Sequence, residues 1–142
     1  MFLKAGLDPN LVDERGYSLL MIAAYNDQVD MVEFLIENGA DIDAPDPSGN
    51  TPLMGSCFKG FPAVARQLLD GGADPNARNG AGATALMMAV MFRQSEIARY
   101  LLDAGADPTL AGDRGETALT LAAGNEDALA LLHGYSDPGA AR

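Results

Sequence analysis

Apolar residues fall on one helix face, stop, and start again on a second face. After Ser18, the residues Leu20, Ala23 and Ala24 stand at i, i+3 and i+4, the spacing of one buried helical stripe. Asn26-Asp27 breaks the pattern, and Val29, Val32, Leu35 and Ile36 set a second stripe. Further along, the breaks are Lys59-Gly60-Phe61-Pro62 and Arg93-Gln94, with Ile97, Ala98, Leu101 and Leu102 as the later stripe. Each first helix opens at a Ser or Thr followed by Pro or a helix former, an N-cap with its first helical position. Each second helix ends at a glycine, where a positive φ suits a C-cap. Asp-Pro-Asn or Asp-Ile-Asp then opens a turn-rich loop.

These signals share one period. Gly6, Gly39, Gly72 and Gly105 are 33 residues apart, and Gly16, Gly49, Gly82 and Gly115 repeat the interval. Ser18-Leu19-Leu20, Thr51-Pro52-Leu53, Thr84-Ala85-Leu86 and Thr117-Ala118-Leu119 are in phase with them. So are the pairs Leu35-Ile36, Leu68-Leu69 and Leu101-Leu102. Helices this short are unstable alone, so stacking of neighbouring units must supply the core. In the last unit the pair Leu131-Leu132 comes three residues early, as a terminal cap would allow.

The period, Thr51-Pro52-Leu53-Met54 and the Gly-Ala-Asp turns resemble the ankyrin repeat. The resemblance implies an all-α repeat solenoid of stacked helix-turn-helix units joined by β-hairpin-like loops. The expected division is a half repeat at 1–12, repeats at 13–45, 46–78 and 79–111, a shortened repeat at 112–135, and a loose tail at 136–142. Met21, Met54, Met87 and Thr120 replace the family's usual His, so its loop-to-loop hydrogen bonds should be missing. Met1-Phe2-Leu3 enters in mid-helix, which leaves an apolar end for a partner, a second copy or further chain.

Composition narrows the function. Of 142 residues, 48% are hydrophobic and 20% charged, enough to bury a core. Twenty acids against nine bases give a net charge of -11, the wrong sign for tracking phosphates. Nucleic acid and anionic membranes are therefore not expected partners. One Cys and one His cannot build a disulfide or a Cys/His zinc site. No apolar run approaches a membrane span, and the first residues lack a signal-peptide pattern, so a cytoplasmic protein is expected, or a periplasmic one if a leader lies upstream. Seven Arg against two Lys, with abundant Ala and Gly, suit a GC-rich bacterial source.

No catalytic set is visible. His133 falls near a helix end, where it complements the helix dipole. Cys57 shares its repeat position with Ala24, Val90 and Ala123, a small core slot. Asp8, Asp41, Asp74 and Asp107 are in register and read as turn formers, because the calcium-loop spacing around them is wrong. Gly80-Ala81-Gly82 lacks the rest of a dinucleotide fingerprint. The expectation is a non-enzymatic module with no metal and no cofactor.

Positions that vary between repeats are free to bind. In ankyrin repeats the concave groove is lined by the loop tips and the exposed side of the first helix. By phase the tips supply Glu14, Arg15 and Tyr17, then Pro47, Ser48 and Asn50, then Gly80, Ala81 and Ala83, then Asp113, Arg114 and Glu116. The helices supply Tyr25 with Asn26, Phe58 with Lys59, and Met91 with Phe92. Tyr25, Phe58 and Met91 should form an exposed apolar ladder at the centre of the interface. Around it, Tyr17, Asn50, Arg15, Lys59 and Arg114 are expected at the partner. The net charge points to a protein partner with a basic docking surface, bound by an adaptor, inhibitor, immunity-type or accessory protein. The alternative is a structural role, as a monomer or weak self-associate docking through the N-terminal half repeat.

Overall fold

A computed structural model describes residues 8–136, the last two by backbone only. Phe2, Leu3, Gly6 and the tail at 137–142 lie outside the described residues. Those described form α1 (Leu19–Tyr25), α2 (Val29–Glu37), α3 (Pro52–Lys59), α4 (Pro62–Asp70), α5 (Ala85–Met91), α6 (Ser95–Asp103), α7 (Ala118–Leu121) and α8 (Glu126–Ser136). The helices α1, α3, α5 and α7 pack in one row, and α2, α4, α6 and α8 in a second row behind it. Between the rows lies the core.

Each first helix begins as its sequence dictates. The hydroxyls of Ser18, Thr51, Thr84 and Thr117 accept from the backbone N–H three residues on, at 3.1 to 3.3 Å. In α3 and α7 the residue in the family's His position completes this cap. Met54 Sδ accepts from Thr51 N–H at 3.4 Å, and Thr120 Oγ1 accepts from Thr117 N–H at 2.8 Å. Second helices end at Gly39, Gly72 and Gly105, with φ between +87° and +101°, a region that penalises any Cβ.

The core repeats as the stripes require. Leu20, Met21 and Ala24 are sealed, as are Leu53, Met54 and Cys57, and then Leu86 and Met87. From the second row come Val32 and Leu35, Val64 and Leu68, and Ile97 and Leu101. Each such Leu contributes about 1.5–3 kcal/mol by leaving water, and it does so only while the next unit is present. Val29 departs from expectation, being 38% exposed. It lies a quarter turn round α2 from the line through Val32 and Leu35, so it misses the stripe.

Three sets of hydrogen bonds tie the loops. Within each hairpin, Asp13, Asp46 and Asn79 each accept two backbone N–H groups, such as Ser48 and Asn50 at Asp46, both at 2.9 Å. Between tips, Gly80 N–H donates to the Ser48 carbonyl at 2.9 Å, and Asp113 N–H to the Ala81 carbonyl at 3.2 Å. Behind them, Asp74 N–H donates to the Asp43 carboxylate at 3.1 Å and Asp107 N–H to the Asn76 amide oxygen at 2.7 Å. This last ladder ties successive loops. Its signal was the register of Asn10, Asp43 and Asn76 at 33 residues.

The last unit is re-cut. Its first helix, α7, has four residues where α5 has seven. Asn125 caps α8, its side chain accepting from Ala128 N–H and its carbonyl from Leu129 N–H, as the Gln94 carbonyl accepts from Ala98 N–H. Counted from these caps, Leu132 takes the place of Leu101, and both are fully buried. His133, which is exposed, then stands where Leu102 is buried. The displacement is therefore two residues, and Leu131-Leu132 is not the counterpart of Leu101-Leu102.

Candidate protein-binding face

The first-helix row and the hairpin tips share one side of the molecule, and it divides into two unlike regions. At its start Arg15 grips Asp13 through Nε and NH2 at 3.0 and 2.8 Å. The same guanidinium lies 4.7 Å from the centroid of the Tyr17 ring. Backbone donation from Tyr17, followed by the Arg15 contacts, lowers the Asp13 pKa below the ordinary carboxylate value, and that partner raises Arg15. Tyr17 meets Tyr25 edge-on at 6.0 Å. Tyr25 itself is half-buried against α3, where Gly55 makes room for its ring. Burial first, and then the charge of Asp46, raises its phenol pKa.

The second region is open. Phe58, Met91 and Phe92 are 52%, 50% and 42% exposed. The rings of Phe58 and Phe92 pair at 5.0 Å with a 46° tilt. This corrects the expected ladder. Tyr25 packs into the fold with Tyr17, while Phe58 pairs with Phe92, which belongs to the neighbouring phase class. The row of in-phase residues becomes two clusters.

Asn50 also differs from the picture of a free contact residue. Its amide oxygen accepts from Asn79 Nδ2 at 2.9 Å and its N–H donates to Asp46, so it braces adjacent tips. Lys59 and Arg114 are exposed, and neither side chain forms an ion pair among the described residues.

Residues that phase mapping missed lie beside Met91. Met88 and Leu121 floor a groove of about 610 Å³, with Ala81, Ala83 and Arg114 on its walls. The hint was in the third tip, where Gly80-Ala81-Gly82-Ala83 is small throughout. Arg93, exposed next to Phe92, was missed as well.

Charge is not spread evenly. The exposed second-helix acids are Asp30, Glu33, Glu37, Asp70, Glu96, Asp103, Glu126 and Asp127, against Arg66 and Arg99. On the first-helix side, Arg15, Lys59, Arg93 and Arg114 face Glu14, Asp27, Asp113 and Glu116. Most of the acidic surplus therefore belongs to the second row and the loops behind it.

Cys57 is fully buried, and burial pushes its thiol up to about 12. Asp41, Asp74 and Asp107 accept from backbone N–H groups two residues on, which makes them turn formers. Among the described residues no group of three or more His, Cys, Asp or Glu is placed to hold a metal ion. No helix among them is long and apolar enough to cross a membrane.

Stacked helix pairs with hairpin loops define an all-α repeat solenoid. Residues 1–79 match a family model described as ankyrin repeats (3 copies), and residues 68–122 one described as ankyrin repeats (many copies). The first match covers more than half of the chain, which therefore belongs to the ankyrin-repeat family. No curated protein matches it. Ankyrin repeats generally mediate protein–protein interaction, and proteins built from them are typically non-enzymatic.

Proposed function

We propose that the chain is a non-enzymatic interaction module that binds one protein partner through its first-helix face, the concave face in this family. Adaptor, inhibitor, immunity-type and accessory roles all act by such stoichiometric binding. One observation carries the reading: Phe58, Phe92 and Met91 together expose large apolar side chains between the hairpin tips and the helix ends. Such side chains are what interface centres enrich, and nothing in the fold requires three of them to be wet. Tyr17, Arg15 and Asn50 support this face by holding its first two tips in place. A basic partner surface would be drawn to the acidic second row, so the net charge describes long-range steering rather than the docking face. The cytoplasm is the proposed site of action.

The test is capture from the native source, with wild type, Phe58→Ala/Phe92→Ala and Glu33→Ala as baits. Glu33 is exposed on α2, away from the face. A partner retained by wild type and Glu33→Ala but lost by the double variant supports the reading. Equal capture by all three baits removes it.

The second reading, self-association at the N-terminal end, is favoured by Leu11 and Val12, which are 45% and 59% exposed. Light scattering tests it, since a monomer at tens of micromolar counts against it.

A further inference from the structure

We infer that the Met88–Met91–Leu121 groove and the adjoining Phe58–Phe92 pair take one continuous partner segment, apolar at its centre and flanked by carboxylates. This rests on the first-helix face being the binding face, and it assigns the chemistry of what binds there.

Two departures from the repeat open the groove. The first and second tips carry Glu14, Arg15 and Tyr17, or Pro47, Ser48 and Asn50, whereas the third offers only Gly80, Ala81 and Ala83. The shortening of α7 to Ala118–Leu121 removes the turn that would carry the next counterparts of Met91 and Phe92. An open surface groove of about 610 Å³ results. Its floor is rich in thioethers, which adapt to irregular apolar shapes. Met91, which lines the groove, and Phe92, which pairs with Phe58, both stand exposed at the C-terminal end of α5.

The rim of the strip, groove and ring pair together, sets the charge of its occupant. Lys59 follows Phe58, Arg93 follows Phe92, and Arg114 stands on the groove wall. All three are exposed, and none forms an ion pair among the described residues. Of the two carboxylates at the same wall, Glu116 accepts the Arg114 backbone N–H at 3.0 Å and so belongs to the hairpin. It keeps its charge, so the strip carries three cations against two carboxylates. In a chain of net charge -11, this strip is locally basic. A segment with flanking carboxylates matches the cations, whereas a Lys- or Arg-flanked one would face them in a desolvated site.

The experiment displays random peptides to the full chain and measures the enriched sequences as synthetic peptides by titration. The variants are Lys59→Glu/Arg93→Glu/Arg114→Glu, Phe58→Ala/Met91→Ala and Glu33→Lys, each checked by its melting transition to be folded in the assay. Enriched peptides should pair large apolar residues with Asp or Glu. The first two variants should weaken them by at least about tenfold, and Glu33→Lys should leave them unaffected. Enrichment of Lys- or Arg-flanked peptides that still need Phe58 and Met91 overturns the charge assignment and leaves the face reading standing. Peptides indifferent to Phe58→Ala/Met91→Ala bind elsewhere and overturn both. A wild-type chain that enriches no peptide overturns the single-segment proposal alone.

Discussion

The Tyr25 ring packs over Gly55 so closely that a Cβ at residue 55 would lie 2.2 Å from it. Gly55 lies inside α3, where helix propensity alone favours Ala by about 1 kcal/mol. The packing reverses that preference. Gly55→Ala should lower stability by about 1–2 kcal/mol, because the ring must leave its seat. In a Tyr25→Ala background the same change should raise stability by about 1 kcal/mol. Chemical denaturation of the four proteins reads this directly, and additivity would mean that the two residues do not touch.

This contact also explains why in-phase residues behave differently. Tyr25, Phe58 and Met91 occupy one repeat position, and their repeat-equivalent neighbours in the next unit are Gly55, Met88 and Leu121. Gly55 admits a ring, whereas Met88 and Leu121 fill the equivalent place, which leaves Phe58 and Met91 in water. The fold was legible because period, caps and apolar stripes all agree. The site was legible only as a list of positions, since exposure depends on pairs of residues in adjacent units. Asn125 illustrates the same limit. Only its capping bonds reveal that the last unit shifts by two residues.

The hairpin of the last unit offers a pairwise test. Asp13, Asp46 and Asn79 organise the first three hairpins, but Gly112 occupies that position in the fourth. The Glu116 carboxylate takes over, accepting from Arg114 N–H, and a Cβ at residue 112 would lie 2.7 Å from its carboxyl carbon. Gly112→Asp alone should destabilise, by steric conflict and like charge. Combined with Glu116→Ala it should recover most of the loss, because the aspartate then bonds as Asp46 does. Thermal melts of both variants and their combination measure the coupling.

Leu68 is fully buried between the rows. Leu68→Ala should cost about 2–5 kcal/mol, from lost transfer energy and the cavity left behind. The array should still unfold in nearly one transition, because each unit needs its neighbour. A denaturation midpoint within error of wild type would show that the second-row stripes are not the core.

For Cys57, burial holds the thiol neutral with a pKa of about 12, against 9.0 for a free thiol. The folded value is raised, so the stabilisation is fully present below the unfolded pKa. It is lost as pH rises from about 9 toward about 12. A thiol reagent at pH 8 should react slowly with the native chain and rapidly in denaturant. Fast native labelling would place Cys57 at the surface.

The last prediction separates function from fold. Phe58 and Phe92 are about half in water, and their ring contact is worth about 0.5–1.5 kcal/mol. Phe58→Ala/Phe92→Ala should therefore lower stability by that amount plus about 1 kcal/mol for the half-burial of each ring, and Tyr25→Ala should lower it by emptying a half-buried seat. Partner affinity should separate the two. Each Phe truncation should cost about 2 kcal/mol or more of binding, because the rings are desolvated only when the partner arrives. Tyr25→Ala should leave binding nearly unchanged while the chain stays folded. Titration and melting of the same samples supply both numbers. If the Phe variants bind normally while Tyr25→Ala does not, the interface centres on the Tyr17–Tyr25 cluster and the open half of the face is not where the partner sits.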